Sequence, residues 1–241
     1  MTQRSTCPAV RLAVAAVSIN LVLATACLAD AIVAQEDWND GTLAGWSAPG
    51  AQASWVTLSN PGSGGIDDTG YLNIELDATD PVNELTGDEW WALARVNVAD
   101  FYTGEWKTDY YIQFDFEALD DPPDYVQVRW SGQPTRVWRD TVFTTGDSLN
   151  GTNWTTLRSD SFENWSSWNY GGGTEAQFLA DLASIDWIGI YIWRGDSSLQ
   201  QYGIDSFSLM VPEPAEWLLA TIALVVSGHS VRRRRKCRPG R

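Results

Sequence analysis

The feature that most constrains the fold of this chain is a series of nine short apolar or alternating runs between residues 35 and 210. Each run has five to nine residues, and clusters of Gly, Pro, Asn and Asp separate them, a pattern typical of β-strands joined by turns. The pattern predicts an all-β fold, a β-sandwich of jelly-roll type. The runs cover residues 54–58, 71–76, 91–98, 110–116, 125–130, 135–143, 153–157, 187–193 and 202–210.

One short helix is predicted between the seventh and eighth runs. Thr174 and Gln177 have the spacing of a capping box, in which each side chain accepts a hydrogen bond from the backbone N–H of the other residue. Phe178, Leu179 and Leu182 would then share one face of the helix. We expect this helix to cover one end or edge of the sandwich.

The first 34 residues have the pattern of an export signal. Arg4 and Arg11 precede an apolar run over residues 12–28, and small residues follow around Ala29 and Ala34. A basic region, an apolar region and small residues at a cleavage zone predict a signal peptide over residues 1–34, used by the Sec export machinery. The alternative is an amino-terminal membrane anchor, although the run is shorter than the ~20 residues that a membrane span needs.

The last 31 residues, 211–241, combine a short motif, an apolar segment and a basic cluster. The apolar segment, residues 215–228, is about 14 residues long, so it suits a hydrophobic anchor helix with transient membrane retention better than a permanent span. The basic cluster would stay on the cytoplasmic side. The motif is Val211-Pro212-Glu213-Pro214, and the cluster is Arg232-Arg233-Arg234-Arg235-Lys236.

This tail resembles the PEP-CTERM sorting signal that exosortases recognise in many Gram-negative bacteria with extracellular polysaccharide. The resemblance implies an exosortase as partner, passage through the inner membrane with anchoring before processing, and a final place at the cell surface or in the extracellular matrix. The charged Glu216 and the extension after Lys236 depart from the pattern. The alternative is an ordinary single-pass anchor that follows a proline-rich linker.

The charge of residues 35–210 restricts the partners. This segment has 28 acidic and 7 basic residues, a formal charge of −21. Such a charge predicts repulsion of nucleic acids and anionic polymers, and favours neutral sugars, cations or basic proteins as partners. The alternative is that the surplus of acids serves only solubility.

Cysteine and histidine are absent between residues 35 and 210. Cys7, Cys27, Cys237 and His229 all lie in the two end segments. The central domain therefore has no disulfides, and catalysis based on a histidine triad or on histidine-bound zinc is excluded within it. We predict a protein that is not an enzyme.

The remaining catalytic alternative is a glycoside hydrolase that uses two carboxylates. Glu75, Glu105 and Glu117 lie in or near predicted strands and are the first candidates for such a pair. With 28 acids in the domain, however, some pair is close by chance, so the number of acids does not itself indicate catalysis.

About 120 residues of the central segment resemble the laminin B domain, also called laminin domain IV. The resemblance implies a galactose-binding-like sandwich with adhesive or structural work and no catalysis. It rests on an aromatic start, a Gly-Asp-Trp-like turn with the following strand, and a closing helix with two strands. These are Trp90-Trp91-Ala92 to Phe101, Gly104-Glu105-Trp106 with residues 110–116, and residues 173–209.

The domain has thirteen tryptophans, more than a core of this size needs. Trp187 and Trp193 flank an apolar strand and are predicted to lie in the core at one face. Trp165, Trp168 and Tyr170 lie in a Ser, Asn and Gly-rich loop, and we predict that they form a ligand-binding platform, because flat aromatic rings pack on the apolar faces of sugars. The alternative is that these three residues fold back and close the sandwich edge.

A structural calcium ion is a further expectation. Glu36 and Asp40 precede the first predicted strand, and Asp205 lies in the last one, which commonly runs beside the first strand in jelly-roll folds. Calcium prefers carboxylate and carbonyl oxygens, and Asp67-Asp68 is another candidate contributor. The alternative is that all of these are solvated turn acids.

Taken together, the sequence predicts an exported, non-enzymatic surface or matrix protein that works as an adhesive or carbohydrate-associated module, with extracellular polysaccharide as a candidate partner. The rivals are an extracellular carbohydrate-active enzyme and a matrix component that binds no ligand.

Overall fold

The computed structural model describes residues 30–50, 55–77, 90–133, 136–147, 149, 153–168, 172–195 and 199–212. These residues contain ten β-strands, two α-helices and one short 3-10 turn (Ile66–Asp68). The helices are α1 (Val98–Phe101) and α2 (Glu175–Leu182). The strands are β1 (Ala31–Glu36), β2 (Val56–Ser59), β3 (Leu72–Leu76), β4 (Trp90–Asn97), β5 (Tyr111–Ala118), β6 (Tyr125–Gln133), β7 (Arg136–Thr144), β8 (Thr155–Arg158), β9 (Trp187–Arg194) and β10 (Gln200–Val211).

The strands build two sheets. The larger sheet has six strands in the order β2-β3-β10-β5-β8, with β1 also pairing with β10, and the smaller sheet has four in the order β4-β9-β6-β7. The pairings with a described register are antiparallel. Residues Ile32–Val211 form one compact unit. The prediction of an all-β sandwich is therefore confirmed.

The hydrophobic core lies between the two sheets because each strand alternates an inward and an outward side chain. In β9, Ile188, Ile190 and Ile192 point inward and are at most 1% exposed. In β5, Ile112, Phe114 and Phe116 do the same with no exposure at all, as the alternating sequence predicts. The core is also rich in tryptophan. Its tryptophans are Trp38, Trp46, Trp55, Trp106, Trp130, Trp138 and Trp168.

The first strand was not among the predicted ones. β1 begins at Ala31, inside the segment predicted as signal peptide, so the boundary placed after residue 34 would divide the strand. It pairs with the last strand, β10, whereas the first predicted strand, β2, pairs with β3 and does not lie beside β10 as expected. The sorting motif begins where β10 ends, at Val211, and Pro212 is the last described residue.

Helix α2 begins with the predicted capping box between Thr174 and Gln177. Phe178 and Leu182 are buried as expected, but Leu179 is 44% exposed, so its predicted place on the buried face is wrong. Asp181 takes that place and is completely buried. It is buried because its carboxylate accepts hydrogen bonds from Arg136 and Trp138.

The carboxylate of Asp181 ties α2 to strand β7. Arg136 donates from Nε to Oδ2 at 2.7 Å and from Nη2 to Oδ1 at 2.5 Å, and Trp138 Nε1 donates to Oδ2 at 2.9 Å. The contact with β6 is equally close, because a Cβ placed on Gly132 would lie 2.2 Å from the Asp181 carbonyl oxygen. The helix therefore packs over one end of β6 and β7, as the prediction of an end-covering helix requires.

Several predictions fall outside the described residues. These are most of the predicted signal peptide, the apolar segment 215–228, and the sorting residues Glu213, Pro214, Arg232, Arg233, Arg234 and Arg235. No helix in the described part of the chain is long and apolar enough to cross a bilayer.

Candidate functional site

The loop that precedes α2 has a different role from the predicted ligand platform. Trp168 is only 1% exposed, stacks on Phe162 with ring centroids 5.0 Å apart, and meets Trp130 edge to face at 6.1 Å. Its ring has no exposed face to offer a ligand, so the prediction for Trp168 is wrong, and the alternative that the loop closes the core describes it. Trp165 is half-buried against the core, and Tyr170 lies outside the described residues.

Trp165 nevertheless borders an open surface. Together with Trp138 and Trp168 it lines a pocket of about 370 Å³. Ser166, Ser167, Gly172 and Gly173 supply the rest of the lining. A ligand role for Trp165 stays a prediction.

The acids predicted to hold calcium are occupied by local hydrogen bonds. Asp40 accepts from the backbone N–H and hydroxyl of Thr42 at 2.8 Å each. The Asp205 carboxylate accepts from the backbone N–H groups of Ile66 at 2.8 Å and Ser206 at 2.7 Å, and Glu36 accepts from Trp38 N–H at 3.0 Å.

These three acids do not form a metal-ligand set. Burial is the largest cause that raises the pKa of both Glu36 and Asp205, and the charge of the nearby Asp37 raises both further. Among the residues that the structure describes, no group of three or more acidic, histidine or cysteine side chains is placed to hold a metal ion. The residues present therefore do not fit a site made of Glu36, Asp40 and Asp205.

The acids considered for glycoside hydrolysis lie on separate elements. Glu75 is on β3 and Glu117 on β5, and β10 runs between these strands. Neighbouring strands are about 4.8 Å apart, so the two backbones are separated by about 10 Å. Glu105 is exposed in the turn after α1. Burial raises the pKa of Glu117, but no described feature couples it to a second acid as a catalytic pair.

The outer face of the four-stranded sheet carries a different set of residues. Its strands alternate, so the side chains opposite the isoleucines of β9 point away from the core. Trp187, Tyr191 and Trp193 of β9 lie on this face with Trp91 and Leu93 of β4 and Tyr125 of β6. These residues form a second hydrophobic cluster, distinct from the core between the sheets.

Four of these rings form a row across three strands, which we call the aromatic ladder: Trp91, Tyr191, Tyr125 and Trp193. Ring centroids are 5.5 Å apart for Trp91 and Tyr191, 6.0 Å for Tyr191 and Tyr125, and 5.1 Å for Tyr125 and Trp193, and all three pairs are stacked. Tyr191 is 7% exposed, whereas the other three are half-buried. The ladder therefore combines a covered centre with three rings that reach solvent.

Polar side chains lie beside the ladder on β6 and β7. Arg129 donates from Nε and Nη2 to Gln127 Oε1 at 2.9 and 2.7 Å, and Gln127 Nε2 donates to Thr141 Oγ1 at 3.0 Å. The Arg129 guanidinium carbon lies 3.3 Å from the centre of the Tyr191 ring. Arg139 is exposed on the neighbouring strand. The face thus places donors and acceptors next to aromatic rings.

A groove of about 570 Å³ runs along this edge of the face. Tyr125, Gln127, Arg139 and Thr141 line it together with Asp124, Asp140, Thr144 and Ser167. An open groove with an aromatic wall and convergent polar groups has the chemistry of a site for a polar, ring-containing ligand.

Burial determines the ionisation of the groups on this face. Burial raises the pKa of Tyr191, against the opposing charge of Arg129. Burial also lowers the pKa of Arg129, and the positive charge of Arg139 lowers it further. Both side chains keep their usual forms at neutral pH, with Tyr191 protonated and Arg129 charged.

The sequence predicts that Trp187 and Trp193 lie in the core at one face of the sheet. Trp187 is buried in the second cluster, 8% exposed, and Trp193 packs half-buried against it, but both lie on the outer face and not between the two sheets. The inward positions of β9 belong to isoleucine, so the aromatic residues at odd positions point outward. The signal was present in the sequence as a strict alternation of Ile with Trp, Gly, Tyr and Trp over residues 187–193. The overall apolar character of the run does not by itself separate these two faces of the strand.

No family model and no curated protein matches this chain. Solved structures do match its fold. A carbohydrate-binding module from the β-sandwich superfamily, described for its promiscuous specificity, has a TM-score of 0.50 at 13% identity and covers 75% of this chain and 63% of its own. An exo-β-agarase also has a TM-score of 0.50, at 11% identity, with 76% of this chain and 25% of its own chain covered. The chain thus spans less than two thirds of either neighbour.

Proposed function

We propose that this protein is a non-catalytic carbohydrate-binding module, and that the outer face of the four-stranded sheet is its binding surface. The observation that carries the proposal is the aromatic ladder with hydrogen-bonding side chains beside it. Exposed aromatic rings next to polar groups suit sugars, because a pyranose ring has apolar C–H faces and a polar rim. The fold of a carbohydrate-binding module from the β-sandwich superfamily supports the same conclusion.

The three half-buried rings, Trp91, Tyr125 and Trp193, are the proposed contacts to the apolar faces of sugar units. Gln127, Arg139 and Thr141 are the proposed hydrogen-bonding partners of the hydroxyl groups. This assignment replaces the loop platform of Trp168, which is buried, and keeps Trp165 as a secondary candidate at the neighbouring pocket.

A glycan array followed by calorimetry tests the proposal with the purified full-length chain. We expect binding to at least one polysaccharide, and a loss of about tenfold or more in affinity for Trp193→Ala, in line with the effect of removing an aromatic anchor. The matched control is Trp154→Ala on the other sheet, where the ring packs on Tyr71 at 5.5 Å. Equal losses in the two variants, or an array without any binding, would contradict the proposal.

The alternative, a glycoside hydrolase, predicts a different result with the same preparation. An enzyme would release reducing ends from a bound polysaccharide, and Glu117→Gln would abolish this release without weakening binding. We expect no release above that of the buffer from any glycan that binds.

We also propose that the module is exported, anchored through its tail, and sorted to the cell surface or extracellular matrix by an exosortase. The proposal rests on the sequence patterns of the two ends. The PEP-CTERM and laminin B resemblances remain predictions, and a structural calcium ion would need ligands other than Glu36, Asp40 and Asp205. Strand β1 adds one refinement. Cleavage after Ala34 would remove four of the six residues of β1, so we place the cut before the strand, after Ala29.

Intact mass and amino-terminal sequencing of the protein recovered from the cell surface test this part. We expect a chain that begins at Asp30 and lacks the arginine cluster. A chain that begins at Gln35 would contradict the placement of the cut, and a surface protein that still carries Arg232–Arg235 would contradict exosortase processing.

A further inference from the structure

The outer face of the four-stranded sheet differs in charge from the rest of the domain. Three of the seven basic residues between positions 35 and 210 lie on it: Arg95 of β4, Arg129 of β6 and Arg139 of β7. Its described outward strand positions include no Asp or Glu. In a domain with a formal charge of −21, this is a local reversal of sign.

Two of the arginines face each other directly. Arg129 and Arg139 are register partners in the antiparallel pair of β6 and β7. Like charges at directly opposite positions destabilise a sheet. An anion bound between the two guanidinium groups would reduce this repulsion.

The described residues leave these charges without a carboxylate partner. Arg129 is held by Gln127 and Tyr191, and Arg95 lies 5.2 Å from the centre of the Trp187 ring. Arg139 is exposed and forms no hydrogen bond or ion pair with a described residue. The described part of the face therefore contains three guanidinium groups, two of them against aromatic rings, and no carboxylate paired with them.

Two acids do border the groove, but both are engaged elsewhere. Asp124 Oδ2 accepts from Gly195 N–H at 2.7 Å, and Asp140 Oδ2 accepts from Asp160 N–H at 2.7 Å. More distant acids are screened, because the Debye length is about 8 Å at physiological ionic strength. Of the three charged side chains that line the groove, only Arg139 has no hydrogen-bond partner among the described residues.

We infer that the ligand of this face is an acidic saccharide, one that carries carboxylate or sulfate groups along its sugar chain. This inference rests on the proposed function and adds the charge of the ligand. A planar guanidinium pairs with a carboxylate or a sulfate through two parallel hydrogen bonds, and the neighbouring rings contact the sugar units that carry these groups. It differs from the sequence-based expectation that anionic polymers are repelled, because that expectation averages the charge over the whole domain.

Polygalacturonate and its fully methyl-esterified form test the inference, because they share a backbone and differ in charge. With the full-length chain we expect calorimetry to show at least tenfold tighter binding of the acid form or of dextran sulfate than of the ester, and weaker binding at high salt. Arg139→Gln should reduce the affinity for the acid polymer by about fivefold and the affinity for the ester by less than twofold, because the glutamine amide still donates hydrogen bonds to hydroxyl groups but carries no charge. Lys107→Gln removes the same charge from an exposed turn and should change neither.

The outcomes separate this inference from the proposed function. Equal affinity for the acid and the ester, or an Arg139→Gln variant that binds the acid polymer like the original chain, overturns the acidic ligand but leaves carbohydrate binding in place. Absence of binding to glycans of either charge overturns both. Equal affinity for single-stranded DNA overturns the saccharide, because the surface would then recognise charge alone.

Discussion

The two outer faces of the sandwich are both formed by antiparallel strands but carry side chains of opposite charge. Each has an arginine stacked on a tyrosine, Arg129 on Tyr191 in the four-stranded sheet and Arg158 on Tyr111 in the six-stranded sheet, with the guanidinium carbon 3.3 and 3.5 Å from the ring centre. Around Arg129 lie further arginines and the aromatic ladder. The neighbours on the six-stranded sheet are instead carboxylates: Glu75, Asp115, Glu117 and Asp205.

The net charge of the domain therefore does not describe the local charge of either outer face. A value of −21 for the domain is the sum of an acidic face, acidic turns and a basic aromatic face. Acids distributed over one face and the turns serve solubility, while the second face is left for a ligand of opposite sign.

The largest expected difference concerns two central glycines. A Cβ on Gly189 of β9 would lie 2.2 Å from the carbonyl oxygen of Ala94, whereas a Cβ on Gly203 of β10 would meet only the ring end of Trp154 at 2.6 Å. Backbone cannot move aside as a ring can, so we expect Gly189→Ala to cost about 3 kcal/mol of unfolding free energy and Gly203→Ala about 1 kcal/mol. Urea denaturation measures both, and equal costs would show that the ring is as fixed as the strand.

A smaller difference concerns two exposed threonines that occupy equivalent edge strands. Thr141 of β7 lies beside Gln127, and Thr156 of β8 donates to Asp115 Oδ1 at 2.5 Å. A carboxylate introduced by Thr141→Glu would repel an acidic polymer and weaken its binding about fivefold, the effect of ~1 kcal/mol between nearby charges in water. Thr156→Glu should leave binding unchanged in the same titration. A similar loss in both variants would indicate that the total charge governs binding.

The smallest effect is expected on the acidic face. Burial raises the pKa of Glu117 above its ordinary value of 4.5, so the folded state binds a proton more readily than the unfolded state. Stability from this group therefore increases as the pH falls from 7 through the raised pKa. Glu117→Gln should raise Tm at pH 7 by about 1 °C, since the side chain is half-exposed and partly screened, and flatten the rise toward pH 5. A scanning calorimeter measures both, and a lower Tm at pH 7 would contradict the prediction.

The sequence was sufficient to predict most of the fold. All nine predicted strands are present, with ends shifted by at most three residues, because period-two alternation and turn residues are local signals. The missing strand, β1, was hidden because its residues Ala31–Glu36 begin next to an apolar export signal. The capping box likewise located the start of α2.

The errors arose where a partner distant in sequence decides the outcome. Asp181 lies on the buried side of α2 with Phe178 and Leu182 because Arg136 and Trp138 come to meet it, and no local pattern indicates this. The outward direction of Trp193 depends on which side of β9 meets the second sheet. The count of thirteen tryptophans indicated more rings than a core needs, but it could not assign the surplus to a sheet face rather than a loop.

The contacts of Gln127 and Tyr191 with the Arg129 guanidinium fix this side chain before any ligand binds. A free arginine loses rotamer entropy when it grips a ligand, but Arg129 is already immobilised by folding, and the stacked rings beside it are equally fixed. We therefore expect the surface to meet its ligand as a preorganised template, with little rearrangement on docking. Related ligands would then differ mainly in how long they remain bound rather than in how fast they arrive.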